Sequence, residues 1–241
     1  MVSERMKELG TARSVIRELF EYGKLRAAEI GVENVFDFSI GNPSVPSPAA
    51  VNETAVRLLR EQPDLIHAYT SAQGAADARE RFADSLNRRF DARCTPDRLY
   101  LTVGAAASLC CVFNGLTCPG DEFVVFAPYF PEYKVFIEGA GAKMVLIPPE
   151  IEGFQIDFDA FEKAVTEHTK GVLVNSPNNP SGVVYSRATL ERLAAVLTEK
   201  SEQYGHPIYL ISDEPYRDLV YDSDTAVPYL PAYYDNTFVC Y

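Results

Sequence analysis

Ile208-Tyr209-Leu210-Ile211-Ser212-Asp213-Glu214-Pro215-Tyr216-Arg217 is the stretch that decides the fold. It opens with a short, nearly continuous apolar run and stops abruptly at two acids and a proline. A strand with one wet face alternates apolar and polar residues, whereas a strand buried on both faces does not. Ile208–Ser212 therefore reads as a buried strand, with Asp213 at its carboxyl end. The same texture recurs at Leu99–Val103, Glu122–Phe126, Lys143–Ile147, Gly171–Asn175 and Thr237–Tyr241. Helical patterns lie between these runs at Ala105–Leu116, Pro131–Gly139, Asp159–Val165 and Ser186–Tyr204. Strand–helix alternation predicts an α/β fold, a mainly parallel sheet with helices on both faces and right-handed crossovers.

Upstream of Leu99 the texture is helical. Val15, Ile16, Leu19 and Phe20 recur at helical spacing within a pattern from about Ser3 to Ala28. A loop rich in breakers follows, Phe38 to Pro48. Helices are predicted at Pro48–Arg60, with Ser47 as N-cap and Pro48 in the first helical position, and at Ala75–Arg89. No internal repeat or low-complexity tract is present.

Composition narrows the function classes. Of 241 residues, 47% are hydrophobic and 23% charged, as in a globular protein. The net charge of −12 repels phosphate backbones, so nucleic acid is not an expected partner. No apolar run is long enough to span a membrane. Met1–Glu8 is polar and has no apolar core of a secretory signal. The five cysteines form no C-x-x-C pair and there are only three histidines, so neither a metal cluster nor a disulfide framework is expected. Reduced thiols point to the cytoplasm.

In parallel α/β sheets ligands bind at the carboxyl ends of the strands. The segments to read are thus Gly104-Ala105-Ala106, Ala127 to Pro131, Ser176 to Gly182 and Asp213 to Tyr216. Gly104 closes a strand and Ala105 opens a helix. Read alone, that is a tight turn or a cradle in which free N–H groups meet an anion. No G-x-G-x-x-G or G-x-x-x-x-G-K-[ST] is present, which removes the strongest dinucleotide and triphosphate signals. Asp213 at the end of a buried strand requires a partner: a cationic side chain, a metal or a protonated ligand nitrogen. Asn179-Pro180-Ser181-Gly182 reads as a turn over the same sheet edge. Phe130 fits either core packing or stacking on a flat ring.

Taken together, S-P-N-N-P-S-G at 176–182 and S-D-E-P-Y-R at 212–217 resemble the class I/II, fold-type I aminotransferases that use pyridoxal 5'-phosphate. The likeness extends to Tyr69 with Gly74, to T-V-G-A-A at 102–106 and to P-Y-F-P-E-Y at 128–133, and is nearest to the aspartate aminotransferases. The resemblance implies a large cofactor-binding domain, 46–241, and a small-domain portion, 1–45. It implies that Asp213 pairs with the pyridine nitrogen, and that Asn179 and Tyr216 hydrogen-bond the phenolic oxygen. Phe130 would stack on the ring, and Gly104, Ala105 and Ala106 would hold the phosphate through backbone N–H groups. The family often has a hydroxyl residue in this turn; here Ser108 is the nearest candidate. Tyr69 would reach the phosphate in a neighbouring subunit, implying a homodimer. Gly41, in the Gly41-Asn42-Pro43 loop, would lie near the substrate carboxylate.

One departure qualifies the resemblance. The family's Schiff-base lysine lies in an S-x-S-K segment just after a strand matching Thr237–Tyr241, and the sequence ends at Tyr241. Lys134, Lys143, Lys163, Lys170 and Lys200 fall elsewhere. No catalytic residue is therefore assigned within the chain. The expectation is a fragment, incomplete at its C-terminus, inactive alone and poorly soluble or cofactor-free. In the family's sheet the strand after the lysine inserts between those matching Leu99–Val103 and Thr237–Tyr241, which would otherwise be left as open edges. The implied reaction moves an amino group from an amino acid to a 2-oxo acid. A carbon–sulfur β-lyase on the same fold and a non-catalytic remnant are the alternatives. A regulator fused to a DNA-binding domain is disfavoured, because the segment before Gly41 reads as one amphipathic helix and a linker.

Overall fold

Alternate residues of the apolar runs serve two different cores, and this is why the runs look continuous in sequence. In the computed structural model Phe123 and Val125 pack on one face of the sheet, with Leu109, Phe113 and Ile137. Val124 and Phe126 pack on the other, with Phe161, Leu193 and Leu197. Each such side chain, once buried, contributes roughly 1.5–3 kcal/mol.

The structure describes residues 2–11, 15–41, 45–222 and 224–241. Strands β1 (Glu122–Phe126), β2 (Lys143–Ile147), β3 (Thr169–Asn175), β4 (Tyr209–Asp213) and β5 (Thr237–Cys240) form one sheet in the order β2-β1-β3-β4-β5. All neighbouring pairs are parallel. The helices are α1 (Glu4–Thr11), α2 (Val15–Ile30), α3 (Ala49–Glu61), α4 (Pro63–Ile66), α5 (Ala76–Phe90), α6 (Gly104–Leu116), α7 (Glu132–Gly139), α8 (Phe158–Ala164) and α9 (Arg187–Tyr204). Helix α8 is capped by Asp157, which accepts from Ala160 N at 3.0 Å, and α9 by Ser186, which accepts from Thr189 N at 3.0 Å. Gly205 closes α9 in the left-handed conformation, φ 73°.

The expected α/β layering is present, with two local corrections. Leu99–Val103 is not a strand: Val103 is 95% exposed, and Leu101 N bonds only to Gln73 O, at 2.9 Å. A strand exists only beside a partner, and among the described residues none lies next to this run. Its counterpart is the free edge of β5, where Phe238 and Val239 remain partly exposed. Ser47 does not cap α3. Pro48 is extended, with ψ 138°, so it takes the cap position itself and its carbonyl accepts from Val51 N.

The chain divides into two compact units, Met1–Ser71 and Ala72–Tyr241. The first contains α1–α4, whose described residues include no buried side chain. The second contains the sheet and α5–α9.

Candidate functional site

The carboxyl ends of β1, β3 and β4, with the start of α6, enclose a cavity of about 300 Å³. Seven residues singled out in the sequence line it: Gly104, Ala105, Ala106, Phe130, Asn179, Asp213 and Tyr216. Tyr69, whose side chain is fully exposed, and Gly41 belong to the other unit. Asn42 and Pro43 lie outside the described residues. A wider hollow of about 640 Å³ beside Phe90, Arg187 and Tyr229 carries none of these strand-end groups.

The floor of the cavity is the start of α6. Gly104 has φ 78°, which favours a residue without Cβ, and no atom crowds the space where a Cβ would project. Its neighbours Ala105 and Ala106 keep the first turn of the helix open. Among the described residues no side chain caps this end, so the N–H groups and the positive end of the helix dipole are open to an anion. Thr102 Oγ1 and Ser108 Oγ lie 2.6 Å apart, and Ser108 Oγ reaches Gly104 O at 3.5 Å.

Asp213 forms the polar wall. It is 5% exposed; Oδ2 accepts from the Tyr133 hydroxyl, while Oδ1 is buried without a hydrogen-bond partner. Burial raises the Asp213 carboxyl to about 6; the Tyr133 hydrogen bond works against the rise and the Glu214 charge adds to it. The Tyr133 phenol is pushed far above its ordinary range, by burial first and then by the Asp213 charge, so it remains a donor. Cys240, paired in register with Asp213 on β5, is pushed up to about 12 by burial and by both acids, and stays a neutral thiol.

Asn175, the last residue of β3, ties the loops together. Its Nδ2 donates to Asp213 O at 2.9 Å, and its Oδ1 accepts from Asn179 N at 2.6 Å. Asn179 Nδ2 then donates to the Tyr216 hydroxyl at 3.2 Å. Asn178 stiffens the 176–182 loop, with Nδ2 donating to Pro128 O and Oδ1 accepting from Ser181 N. Phe130 meets the Tyr133 ring edge-on, with centroids 5.6 Å apart.

Behind Asp213 lies a buried ion pair. Glu214 accepts from Ser212 Oγ at 2.6 Å and from Arg217, whose Nη1 and Nη2 also donate to Val227 O and Pro228 O. The guanidinium packs against the stacked rings of Phe90 and Tyr229. Burial raises the Glu214 carboxyl, and Arg217 opposes the rise.

Sequence reasoning passed over Tyr133, Asn175 and this ion pair. Tyr133 stood inside the quoted 128–133 motif without a role; its place three residues after Phe130, at a helix start, was the available signal. Asn175 ends an apolar strand with an amide, which must be satisfied once buried.

A profile of the family described as "Aminotransferase class I and II" matches residues 33–241. The aspartate aminotransferase of Thermotoga maritima is 33% identical over 225 residues, covering 93% of this chain and 56% of that protein. The aspartate/prephenate aminotransferase of Thermus thermophilus is 35% identical over 190 residues, covering 78% and 47%. The crystal structure of an amino transferase from Eubacterium rectale superposes with a TM-score of 0.96 at 53% identity, covering all of this chain and 61% of that one. The chain thus spans about half the length of the curated relatives it matches. With the motifs at the strand ends, the parallel sheet and the matched profile in agreement, the chain belongs to the class I and II aminotransferase family.

Proposed function

We infer that these residues form the cofactor-binding part of an enzyme that uses pyridoxal 5'-phosphate to move an amino group from an amino acid to a 2-oxo acid. The observation that carries the reading is the buried Oδ1 of Asp213, which has no partner among the described residues and lines a cavity of the right chemistry. A protonated pyridine nitrogen would satisfy it. When bound, the cofactor supplies an electron sink that stabilises negative charge at the substrate Cα.

The chain's own residues then have distinct tasks. Asp213, ionised, would hold a proton on the ring nitrogen through a charge-assisted hydrogen bond. Asn179 and Tyr216, already bonded to each other, would donate to the phenolic oxygen on the opposite side. Phe130 would cover one ring face and exclude water from it. The α6 N–H groups at Gly104, Ala105 and Ala106 would hold the phosphate.

The family's Schiff-base lysine follows the strand that Thr237–Cys240 matches, so the reaction is proposed for the complete enzyme and binding for these residues. Tyr69, exposed in the first unit, is proposed to reach the site of a second subunit in a homodimer. Residues 1–45 are proposed as part of the small domain. The five free thiols support a reducing compartment such as the cytoplasm, and no helix among the described residues is long and apolar enough to cross a membrane.

The test is binding of pyridoxamine 5'-phosphate, which needs no lysine, followed by calorimetry. The complete enzyme is expected to bind it, and Asp213→Ala to weaken binding by about 10- to 100-fold, the worth of a charged hydrogen bond. No binding by the unaltered enzyme, or equal binding by the variant, would overturn the reading.

A further inference from the structure

Asp213 presents two carboxylate oxygens in different circumstances, and one tyrosine makes the difference. Oδ2 accepts the Tyr133 hydroxyl proton, whereas Oδ1 has no partner. Tyr133 is 1% exposed and its ring is packed in the core with Ile137 and Phe113. The ring is fixed twice over: Tyr133 N donates to Phe130 O at 3.1 Å, and the Phe130 ring meets it edge-on. One residue at the start of α7 thereby touches both the acid and the aromatic assigned to the ligand ring.

We propose that Tyr133 is a positioning residue for the ring-nitrogen site: its hydroxyl takes one oxygen of Asp213, fixes the carboxylate plane and leaves the other oxygen for a protonated nitrogen. The inference rests on the reading of the cavity as a pyridoxal phosphate site. It adds a residue to that reading, because Tyr133 acts through Asp213 and Phe130.

A second consequence concerns charge. A buried carboxylate favours its neutral form, and a neutral Asp213 cannot hold a proton on the ring. The groups around it are Tyr133 from α7, Cys240 from β5, Tyr216 from the turn after β4, Asn175 from β3, and Glu214, whose charge is matched by Arg217. Cys240 and Tyr216 make no hydrogen bond to the carboxylate, and Asn175 bonds the Asp213 main chain. The Tyr133 hydroxyl is the one side-chain donor given to the carboxylate among the described residues. Without it, Asp213 would stay protonated to higher pH.

Tyr133→Phe tests this while keeping the ring in its core and against Phe130. In the complete enzyme freed of cofactor, the carboxyl carbon of Asp213 is followed by nuclear magnetic resonance across pH. The titration midpoint is expected to rise by about one unit, a tenfold change in proton affinity. Pyridoxamine 5'-phosphate binding at about pH 6 is expected to weaken by about fivefold, the drop in ionised Asp213 that such a rise gives there, and the loss to vanish when Tyr133→Phe is made on Asp213→Asn. A role in packing alone would leave the midpoint in place, and an unmoved midpoint overturns the proposal. So does a binding loss that persists in the Asp213→Asn background. If the unaltered enzyme binds no pyridoxamine 5'-phosphate, the cofactor reading falls, while the titration still decides whether Tyr133 governs Asp213.

Discussion

Asn179 Nδ2 donates to the Tyr216 hydroxyl oxygen over 3.2 Å, joining the loop after β3 to the turn after β4. The two donors are thus arranged before any ligand arrives, which lowers the ordering cost of binding. Tyr216→Phe removes one donor and leaves Asn179 unrestrained. Pyridoxamine 5'-phosphate affinity is expected to fall by about tenfold, with the urea unfolding midpoint nearly unchanged, because both side chains are only partly buried. A large fall in stability would instead give the pair a structural role.

Asp213 sets a conflict between stability and binding. Its carboxyl is raised from 3.8 in the open chain to about 6 in the fold. Below the lower value both states are protonated and there is no penalty. Between the two values only the unfolded chain ionises, so stability falls as pH rises, reaching a cost of about 3 kcal/mol above the upper value. Asp213→Asn is therefore expected to stabilise the cofactor-free chain at about pH 8 and to lose that advantage near about pH 4. Urea unfolding at the two pH values checks the sign.

The Glu214–Arg217 pair is expected to behave asymmetrically. Arg217→Met strands a buried carboxylate and should cost about 3–5 kcal/mol. Adding Glu214→Gln should return most of it, since the amide can still accept from Ser212. Urea unfolding of the two singles and the double supplies the cycle. An additive double would show that Glu214 is satisfied without Arg217.

Gly171 holds the middle of the sheet together by having no side chain. A Cβ there would stand 3.0 Å from Tyr209 O and 3.1 Å from the Phe123 ring, in the tight space between β1, β3 and β4. Gly171→Ala is expected to destabilise by about 1–3 kcal/mol, read as a lower urea midpoint with an unchanged slope. Unaltered stability would mean that Phe123 swings aside freely.

How much was legible in the sequence follows from what each element depends on. Glu122–Phe126 was bounded as observed, because both faces of a buried parallel strand must be apolar and the run marks its own ends; Lys143–Ile147 was bounded as observed too, although it is an edge strand with only Ile147 buried. Leu99–Val103 has the same composition and no strand, because pairing is a property of two segments and composition of one. At the site, Asp213 was legible as an acid ending a buried strand, while the roles of Asn179 and Tyr216 came from the family resemblance. Tyr133 and Asn175 were not, because their importance lies in whom they touch. Asn175 and Asp213 are 38 positions apart, and Tyr133 and Asp213 are 80.

Those separations also give the cavity a history. A ribosome adds about 5–20 residues per second, so the Tyr133 hydroxyl waits several seconds for the carboxylate it will hold. The wall carrying Asp213 can form only after β4 has docked beside β3, which itself lies beside β1. A nascent chain that has reached only Asn175 carries Gly104 to Ala106 and the Phe130 ring but not Asp213. Of the groups proposed to meet the cofactor, Asp213 and Tyr216 are therefore the last to be synthesised.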